Sequence, residues 1–482
     1  MRTTGDLSMG TVRHWGTGMM LGAAIVGTAR QAAAQQAVAQ QQTGQRQAGQ
    51  VPADSVPSLE ARVEELSQQV RILQRLRELA ADSIATAARD RQSATANSKD
   101  GFSLASADGK YSLKIRGYAH ADGRFFPGDG AAALPNTFFL RRARPILEAS
   151  VGRYFDFRIM PDFAQGATTL FDAYWDGKFD PAFTVRAGKF KPPVGFERLQ
   201  SATDITFAER GLPTNLAPNR DIGLQIAGDV STGLLAYQVG VFNGVADLGN
   251  ADGDLGEAKD FAARVFVQPF KRGTLKGVGL GISGSTGIER GTATATGLAG
   301  YRAPSQQTFF RYRTDPATPA NTVLASGTRT RLSPHAFVGL GSLGLLGEYI
   351  LSRQEVRQGA TTAKLDHTAW QASGSYFLTG EQAGFRSPSP KKPFDLRAGT
   401  FGAVELAARY GELDLDDDAF PTFANPTDAA SKAKAFGVGV NWHLNRQIKV
   451  VVNYEHTTFD AGAATGDRES ENFVVTRFQH AF

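Results

Sequence analysis

Alternation with a period of two recurs along most of this chain and restricts its fold more than any other feature. Residues 110–118 set Tyr111, Leu113 and Ile115 opposite Ser112, Lys114 and Arg116. Residues 154–163 put Phe155, Phe157, Ile159 and Phe163 on one face and Asp156, Arg158 and Asp162 on the other. Residues 171–180 place Phe171, Ala173, Trp175 and Phe179 against Asp172, Asp176 and Lys178. In residues 447–455, Ile448, Val450, Val452 and Tyr454 oppose Lys449, Asn453 and Glu455. Successive strand side chains point to opposite faces, so each stretch is a strand with one apolar, aromatic face and one charged face. A soluble sandwich would turn the charged face outward to water. A transmembrane barrel turns it toward the lumen and gives the apolar face to lipid. The region after the N-terminus has no apolar run of about 20 residues, which excludes a bundle of membrane-spanning helices.

Sixteen such segments can be marked, near 110–119, 137–151, 153–163, 171–180, 183–190, 221–230, 234–243 and 260–270, then 277–286, 329–341, 343–352, 366–378, 402–415, 433–443, 446–458 and 470–482. The connections alternate in length. Gly152, Asp180-Pro181-Ala182, Ser231-Thr232-Gly233, Gly341-Ser342 and Leu444-Asn445 are tight turns after even strands, whereas the links after odd strands are longer, above all 191–220 and 287–328. Outer-membrane barrels show this asymmetry, with short periplasmic turns and long outer loops. The expected fold is therefore an all-β transmembrane barrel of 16 antiparallel strands. The link at 379–401 is long on the short-turn side, and its Arg386, Lys391 and Lys392 lie among prolines. It is expected to fold into the lumen or to plug the periplasmic mouth. The chain ends on Phe482, on the same strand face as Phe478 and Val474, which suits recognition by a barrel-insertion machinery.

The first hundred residues are organised differently. Arg2 and Arg13 precede the short apolar run Met19 to Val26, and small residues follow at Ala32-Ala33-Ala34 and Ala37-Val38-Ala39. This predicts a signal peptide over 1–39, cleaved after Ala34 or Ala39. Residues 40–57, rich in Gln, Ala and Gly, form a flexible linker. From Ser58 the period becomes helical. Leu59, Val63, Leu66, Val70 and Leu73 form a heptad seam that Arg77 interrupts, which predicts a periplasmic coiled-coil helix over 58–95. Residues 101–482 form the barrel.

Composition removes several classes of function. Fifty-two basic against 47 acidic residues is too even for a charge-only nucleic-acid binder. Cysteine is absent, so there is no disulfide framework, thiol nucleophile or cysteine-bound metal. The histidines are scattered without metal-ligand spacing, and no serine-centred motif marks a hydrolase. The sequence thus predicts no enzyme, no cofactor and no metal site; the acidic run Asp414, Asp416, Asp417 and Asp418 reads as a solvated loop rim, with Ca²⁺ binding as the alternative.

The run Arg141-Arg142-Ala143-Arg144, the stretch Phe190-Lys191-Pro192-Pro193-Val194-Gly195-Phe196-Glu197 and the triplet Ala208-Glu209-Arg210 resemble the phosphate-selective porin O/P family. Residues 402–410 and Gly439-Val440-Asn441-Trp442 are similar to its C-terminal half. The resemblance spans about 101–482 and omits the helix. It implies a homotrimer of outer-membrane barrels whose inward-folded loops carry an anion-attracting ladder of arginine and lysine. It places the anion-binding constriction at Arg141 and Arg142 on the second strand, Asp172 on the fourth, and Arg198 and Arg210 on the third long loop. Ala202 and Thr203 stand where the family carries a further lysine.

The residues themselves agree in part. The 191–220 link and its flanks hold Lys189, Lys191, Arg198, Arg210 and Arg220. Arginine forks donate paired hydrogen bonds to oxyanions and keep their charge near neutral pH. Adjacent Arg141 and Arg142 cannot both face inward on a regular strand; either a bulge turns both in, or Arg141 sits at the rim. The expected function is passive diffusion of small, phosphate-like anions across the outer membrane, with lipid around the wall and no nucleic-acid partner. The alternatives are a general or cation-preferring porin, and an envelope tether whose coil contacts peptidoglycan.

Overall fold

The structure, a computed structural model, describes residues 58–89, 93–97, 101–128, 135–231, 233–254, 256–270 and 272–482. The signal peptide and linker expected over 1–57 lie outside the described residues.

Sixteen strands form the wall. They are β1 (Tyr111–Phe125), β2 (Thr137–Val151), β3 (Phe155–Asp162), β4 (Thr169–Asp180), β5 (Phe183–Phe190), β6 (Asp221–Val230), β7 (Leu235–Phe242) and β8 (Asp260–Val267). The second half comprises β9 (Gly277–Arg290), β10 (Leu324–Leu340), β11 (Leu343–Gln358), β12 (Thr361–Phe377), β13 (Ala403–Asp414), β14 (Ala430–His443), β15 (Ile448–Ala461) and β16 (Glu471–Ala481). Each pairs antiparallel with the next, and β16 returns to β1, from Val474 opposite Phe125 to Ala481 opposite Tyr118. Closure matters because an open sheet edge inside a bilayer would leave backbone groups without partners. Phe482 completes the seam: its N–H donates to the Gly117 carbonyl at 2.9 Å, and its own carbonyl accepts from the Gly117 N–H at 3.0 Å. Below that point β1 pairs instead with Gly101–Ala105, which is itself paired with Ser93–Asn97. This hairpin occupies part of the region read from sequence as helix and polar linker; the helix ends earlier, at Arg89.

The wall is inverted relative to a soluble protein. Trp175, Phe179, Leu224, Phe261, Leu280, Ile282 and Phe478 are all at least half exposed on the outside. Inside, Arg142, Asp172, Arg329, Arg331, Glu348, Arg409 and Arg477 are buried. Burying charge while exposing aromatic surface is stable only where the exterior solvent is hydrocarbon. The strands differ in length. β3, β5, β7 and β8 have 8 residues each, whereas β10 and β12 have 17. Strands β11 and β12 extend past the limits read from sequence and meet at Gly359-Ala360, so the long link expected there is a tight turn on a tall hairpin. Gly359 makes that turn at φ +58. One side-chain direction also differs. Phe171 is an extra residue in β4, because Met160 pairs with Asp172 while Pro161 pairs with Leu170. This bulge rotates Phe171 from the lipid face toward the interior.

The long links fill much of the bore. Residues 191–217 are mostly buried. The 291–323 link forms a small hairpin, Tyr301–Arg302 with Thr308–Phe310, and its Phe309, Phe310 and Tyr312 pack in one apolar core with Leu212, Leu216 and Phe423. The 379–401 segment turns inward as well. The Phe385 ring stacks on Phe196 at 4.8 Å, and Ser387 donates to Asp204 Oδ1 at 3.1 Å through its N–H.

The helix α1 (Leu59–Arg89) belongs, up to Thr86, to a unit separate from the barrel. Its described side chains are all exposed, including Leu59, Val63, Leu66, Val70 and Leu73 of the heptad seam.

The outer face supplies a direct test. Trp370, on β12, is 40% exposed on the apolar side. In vesicles of brominated lipid, fluorescence from this position should be strongly quenched while aqueous iodide has little effect. The opposite pattern would mean that this face meets water.

The lumen constriction

The 191–220 link turns inward at Gly195. Its φ of +80 is one that glycine adopts freely, and a Cβ there would stand 2.9 Å from the Ala217 side chain. A short helix, Phe196–Leu199, and a 3-10 turn, Leu212–Leu216, follow. Backbone groups carried into the lumen still need partners. The far wall supplies them. Glu348 accepts from the N–H groups of Phe196 and Glu197, and Gln371 donates to Glu197 Oε2 at 3.0 Å. Lys449 donates to the carbonyls of Thr203 and Ile205 at 3.2 and 3.1 Å. Asn441 donates to Thr206 at 2.9 Å, and Arg409 to the Glu209 carbonyl at 2.9 Å. Asn453 accepts from the Ala208 N–H at 2.7 Å, and Arg477 donates to the Ala208 carbonyl.

Two acidic foci then organise the cations. The first is Glu209. Arg141 grips it with both arms of its fork, Nε at 2.7 Å and Nη2 at 3.1 Å. Arg477 lies at 3.1 Å, Arg124 at 3.4 Å and Arg142 at 3.6 Å. Burial alone would raise the Glu209 pKa, but Arg141, Arg142 and Arg477 outweigh it and hold the carboxyl well below its usual range. The adjacent arginines both reach it because Arg141 is an extra residue in β2: His120 pairs with Arg142, and Ala121 with Leu140. The bulge settles the choice left open by the sequence, and both side chains point inward.

The second focus is Asp172. Arg220 donates to it from Nε at 3.1 Å, and Arg158 stands 3.3 Å from its other oxygen. Beside it, Arg144 and Arg220 lie over Phe171, at 3.7 and 4.8 Å from the ring centre. Arg144 also donates to Asp162 at 2.7 Å and to the Tyr118 hydroxyl at 2.8 Å. The inward Phe171 is thus a flat support for two guanidinium groups, an arrangement favourable through the ring's electron-rich face.

Between these foci lie cations with no carboxylate at ion-pair distance among the described residues. Arg198 donates to the Thr214 carbonyl at 2.9 Å and to Asn219 at 3.3 Å. Arg210 donates to the carbonyls of Glu197 and Gln200 at 3.0 and 2.8 Å. Lys191 is tied to the Leu199 and Gln200 carbonyls at 3.2 and 2.8 Å. Burial lowers the Arg210 pKa to about 10. Burial, reinforced by Arg220 and Arg210, holds Lys191 well below the ordinary lysine value.

All five residues nominated from sequence, Arg141, Arg142, Asp172, Arg198 and Arg210, line one cavity of about 1240 Å³. The same cavity is bounded by Arg302 and Gln306 of a long link and by Asn445 and Arg446 of a short turn, so its lining runs between the two ends of the barrel. Fifteen basic side chains and four acidic ones line it. Sequence reasoning did not find the role of Glu209, which requires knowing what the loop touches. It also gave no site role to Arg144 or Arg220, whose common contact is a ring expected to face lipid. Among the described residues no group of His, Asp or Glu could hold a metal ion. In the 414–418 run, Asp414 pairs with Lys432 at 2.8 Å, and Asp416 accepts from the Asp366 N–H at 2.7 Å.

Porin O of Pseudomonas aeruginosa is 25% identical over 416 residues, covering 80% of this chain and 91% of that protein. Among solved structures, the outer membrane channel DcaP of Acinetobacter baumannii aligns with TM-score 0.49 and 12% identity over 77% of this chain and 97% of its own. The anion-selective porin from Comamonas acidovorans aligns with TM-score 0.48 and 12% identity over 77% and 100%. The profile described as phosphate-selective porin O and P matches residues 113–482, and the chain belongs to that family.

Proposed function

We propose that the protein is a passive outer-membrane channel for small anions, not an enzyme, and that phosphate-like oxyanions are its preferred cargo. The observation that carries this reading is the excess of basic over acidic side chains around the cavity, fifteen against four. A low-dielectric wall focuses such a field, raising local anion concentration and repelling cations. Within the constriction, Lys191, Arg198 and Arg210 supply charge without a counter-ion, while Asp172 fixes Arg158 and Arg220 in place. Arg141 and Arg142 contribute field from the rim of the same space, moderated by Glu209. Modest, repeated attraction suits conduction better than one tight site, because the ion must leave.

The strand lengths favour a homotrimer. An 8-residue strand spans roughly 26 Å at ~3.3 Å per residue, and a tilt of about 40° leaves a height near 20 Å, short of the ~25 Å apolar band. The sector containing β3, β5, β7 and β8 is thus too low to meet lipid alone and is the face we assign to neighbouring copies.

Purified protein in a planar bilayer under a KCl gradient should give an anion-selective reversal potential, and added phosphate should block the chloride current. A cation-selective potential would refute the reading. Selectivity should also depend on pH through Lys191. Its lowered pKa means that deprotonation, and loss of one positive charge, begins below the ordinary lysine range as pH rises. Phosphate block should therefore weaken on the alkaline side in the parent and much less in Lys191→Arg. Native mass measurement in mild detergent should find three copies, and Leu224→Arg on β6 should shift the population to single barrels.

A further inference from the structure

Lumen side chains run round the wall from β4 to β8 on two adjacent rows, Asp176, Arg186 and Gln225 on one and Gln238 and Arg264 on the next, and the second ends in a cation with no carboxylate at ion-pair distance among the described residues. Arg186 pairs across to Asp176 on one side and Gln225 on the other. Arg264 stands opposite Gln238 and Ser283. The two arginines differ sharply. Arg186 is held by both Asp176 oxygens, at 2.7 and 2.8 Å. Arg264 has its Nε buried without an acceptor, no carboxylate at ion-pair distance among the described residues, and the Phe266 ring beneath its guanidinium at 4.8 Å.

The neighbouring carboxamides are equally unspent. The Oε1 atoms of Gln225 and Gln238 are both buried without a donor among the described residues. Gln225 is only 2% exposed. All three residues line the cavity. Arg264 is half-buried with its Nε unpaired, and a positive charge in that setting without a counter-charge, beside amide oxygens without a donor, is disfavoured. A water molecule could satisfy the amides but would leave the positive charge uncompensated. An anion satisfies both. Arg264 can donate its fork to two oxygens, and a carboxamide can accept from a hydroxyl or donate to a third oxygen.

We propose that Arg264, Gln225 and Gln238 form a second oxyanion site, suited to a tetrahedral oxyanion that retains an O–H, of which hydrogen phosphate is the simplest. The site rests on the reading of the protein as an anion channel and extends it. Arg220 immediately precedes β6, and Gln225 lies five residues further toward the short-turn end. An ion leaving Arg210 and Arg220 would therefore meet this second site further along the bore. Two stations in sequence let an arriving ion displace the one ahead.

The test compares block of chloride current by inorganic phosphate and by sulfate, which carries no O–H near neutral pH. Arg264→Gln should raise the half-blocking concentration of both by about tenfold, the scale of a lost charge-assisted hydrogen bond. The double variant Gln225→Leu/Gln238→Leu should weaken phosphate by roughly threefold to tenfold and sulfate by less than about twofold, since only phosphate offers the carboxamides a proton. Heat-modifiable migration on gels reports folding in each case. Arg264→Lys, which keeps the charge but loses the fork, serves if the Gln variant does not fold and should weaken both blocks by about threefold. Arg353→Gln, in the tall hairpin, is the control and should change neither block. Unchanged block by both ions in the Arg264 variants would overturn the site, and equal loss of both in the Gln pair would overturn its preference for an O–H. A parent channel that is cation-selective would overturn the channel reading and the site together, whereas an anion-selective, phosphate-blocked parent with indifferent Arg264 variants would overturn the site alone.

Discussion

Irregular backbone cannot sit inside a barrel unless its polar groups are satisfied, and the rest of this lumen is arranged around that requirement. The 191–220 link crosses the bore without regular strand pairing. Its carbonyls at Thr203, Ile205, Thr206, Ala208 and Glu209 are met by Lys449, Asn441, Arg477 and Arg409 on the opposite wall. Cations thereby do structural work, as donors to peptide oxygens, in addition to setting the field. The distinction affects function. A guanidinium whose arms are spread over carbonyls keeps its charge, because a carbonyl dipole does not neutralise it, whereas one clasped by a carboxylate does not contribute a full charge to the pore. Arg198 and Arg210 are of the first kind, Arg141 of the second.

Two β-bulges turn side chains of the wall into the lumen. Strand parity sends every second residue to lipid, where a charge costs roughly 2–4 kcal/mol at the bilayer midplane. An extra residue in β2 brings Arg141 in beside Arg142, and an extra residue in β4 brings Phe171 in beside Asp172. The first bulge lets one carboxylate, Glu209, hold two neighbouring arginines. The second places an aromatic face under Arg144 and Arg220, restricting where those forks can point without consuming their charge. Both bulges rotate specific side chains by shifting the ladder locally, and the strands on either side keep their pairing.

What the sequence made legible follows from the range of each interaction. Period-two alternation is local, so the sixteen strands and the asymmetry between tight turns and long links could be read residue by residue. The helix beginning at Leu59 was legible for the same reason. Strand extent was less so: 353–358 and 361–365 are rich in charge and lack a lipid-facing pattern because the tall hairpin rises where there is no need for one. Bulges leave no composition signature, which is why Phe171 read as lipid-facing. The residues proposed for the site were legible as residue types at positions resembling a family, yet the partition into neutralised and surplus cations depends on contacts such as Arg141 with Glu209, 68 residues apart, and Arg477 with Asp122, 355 apart. Nothing local encodes those.

The net charge of the whole chain is a poor guide to the pore for the same reason. A surplus of +5 over 482 residues is slight. Acidic side chains are plentiful, but many are committed to ion pairs: Asp122 with Arg477 and Asp176 with Arg186 in the wall, and Asp247 of the 243–259 link with Arg331. Each such pair removes one charge of each sign from the space an ion sees. Subtracting matched pairs leaves a few unmatched cations, and because the surrounding wall has low polarisability their field is weakly screened. Selectivity therefore depends less on how many arginines face inward than on which of them lack a carboxylate. A wall with the same composition, but with Lys191, Arg210 and Arg264 each given an acidic neighbour, would keep its fold and lose its preference for anions.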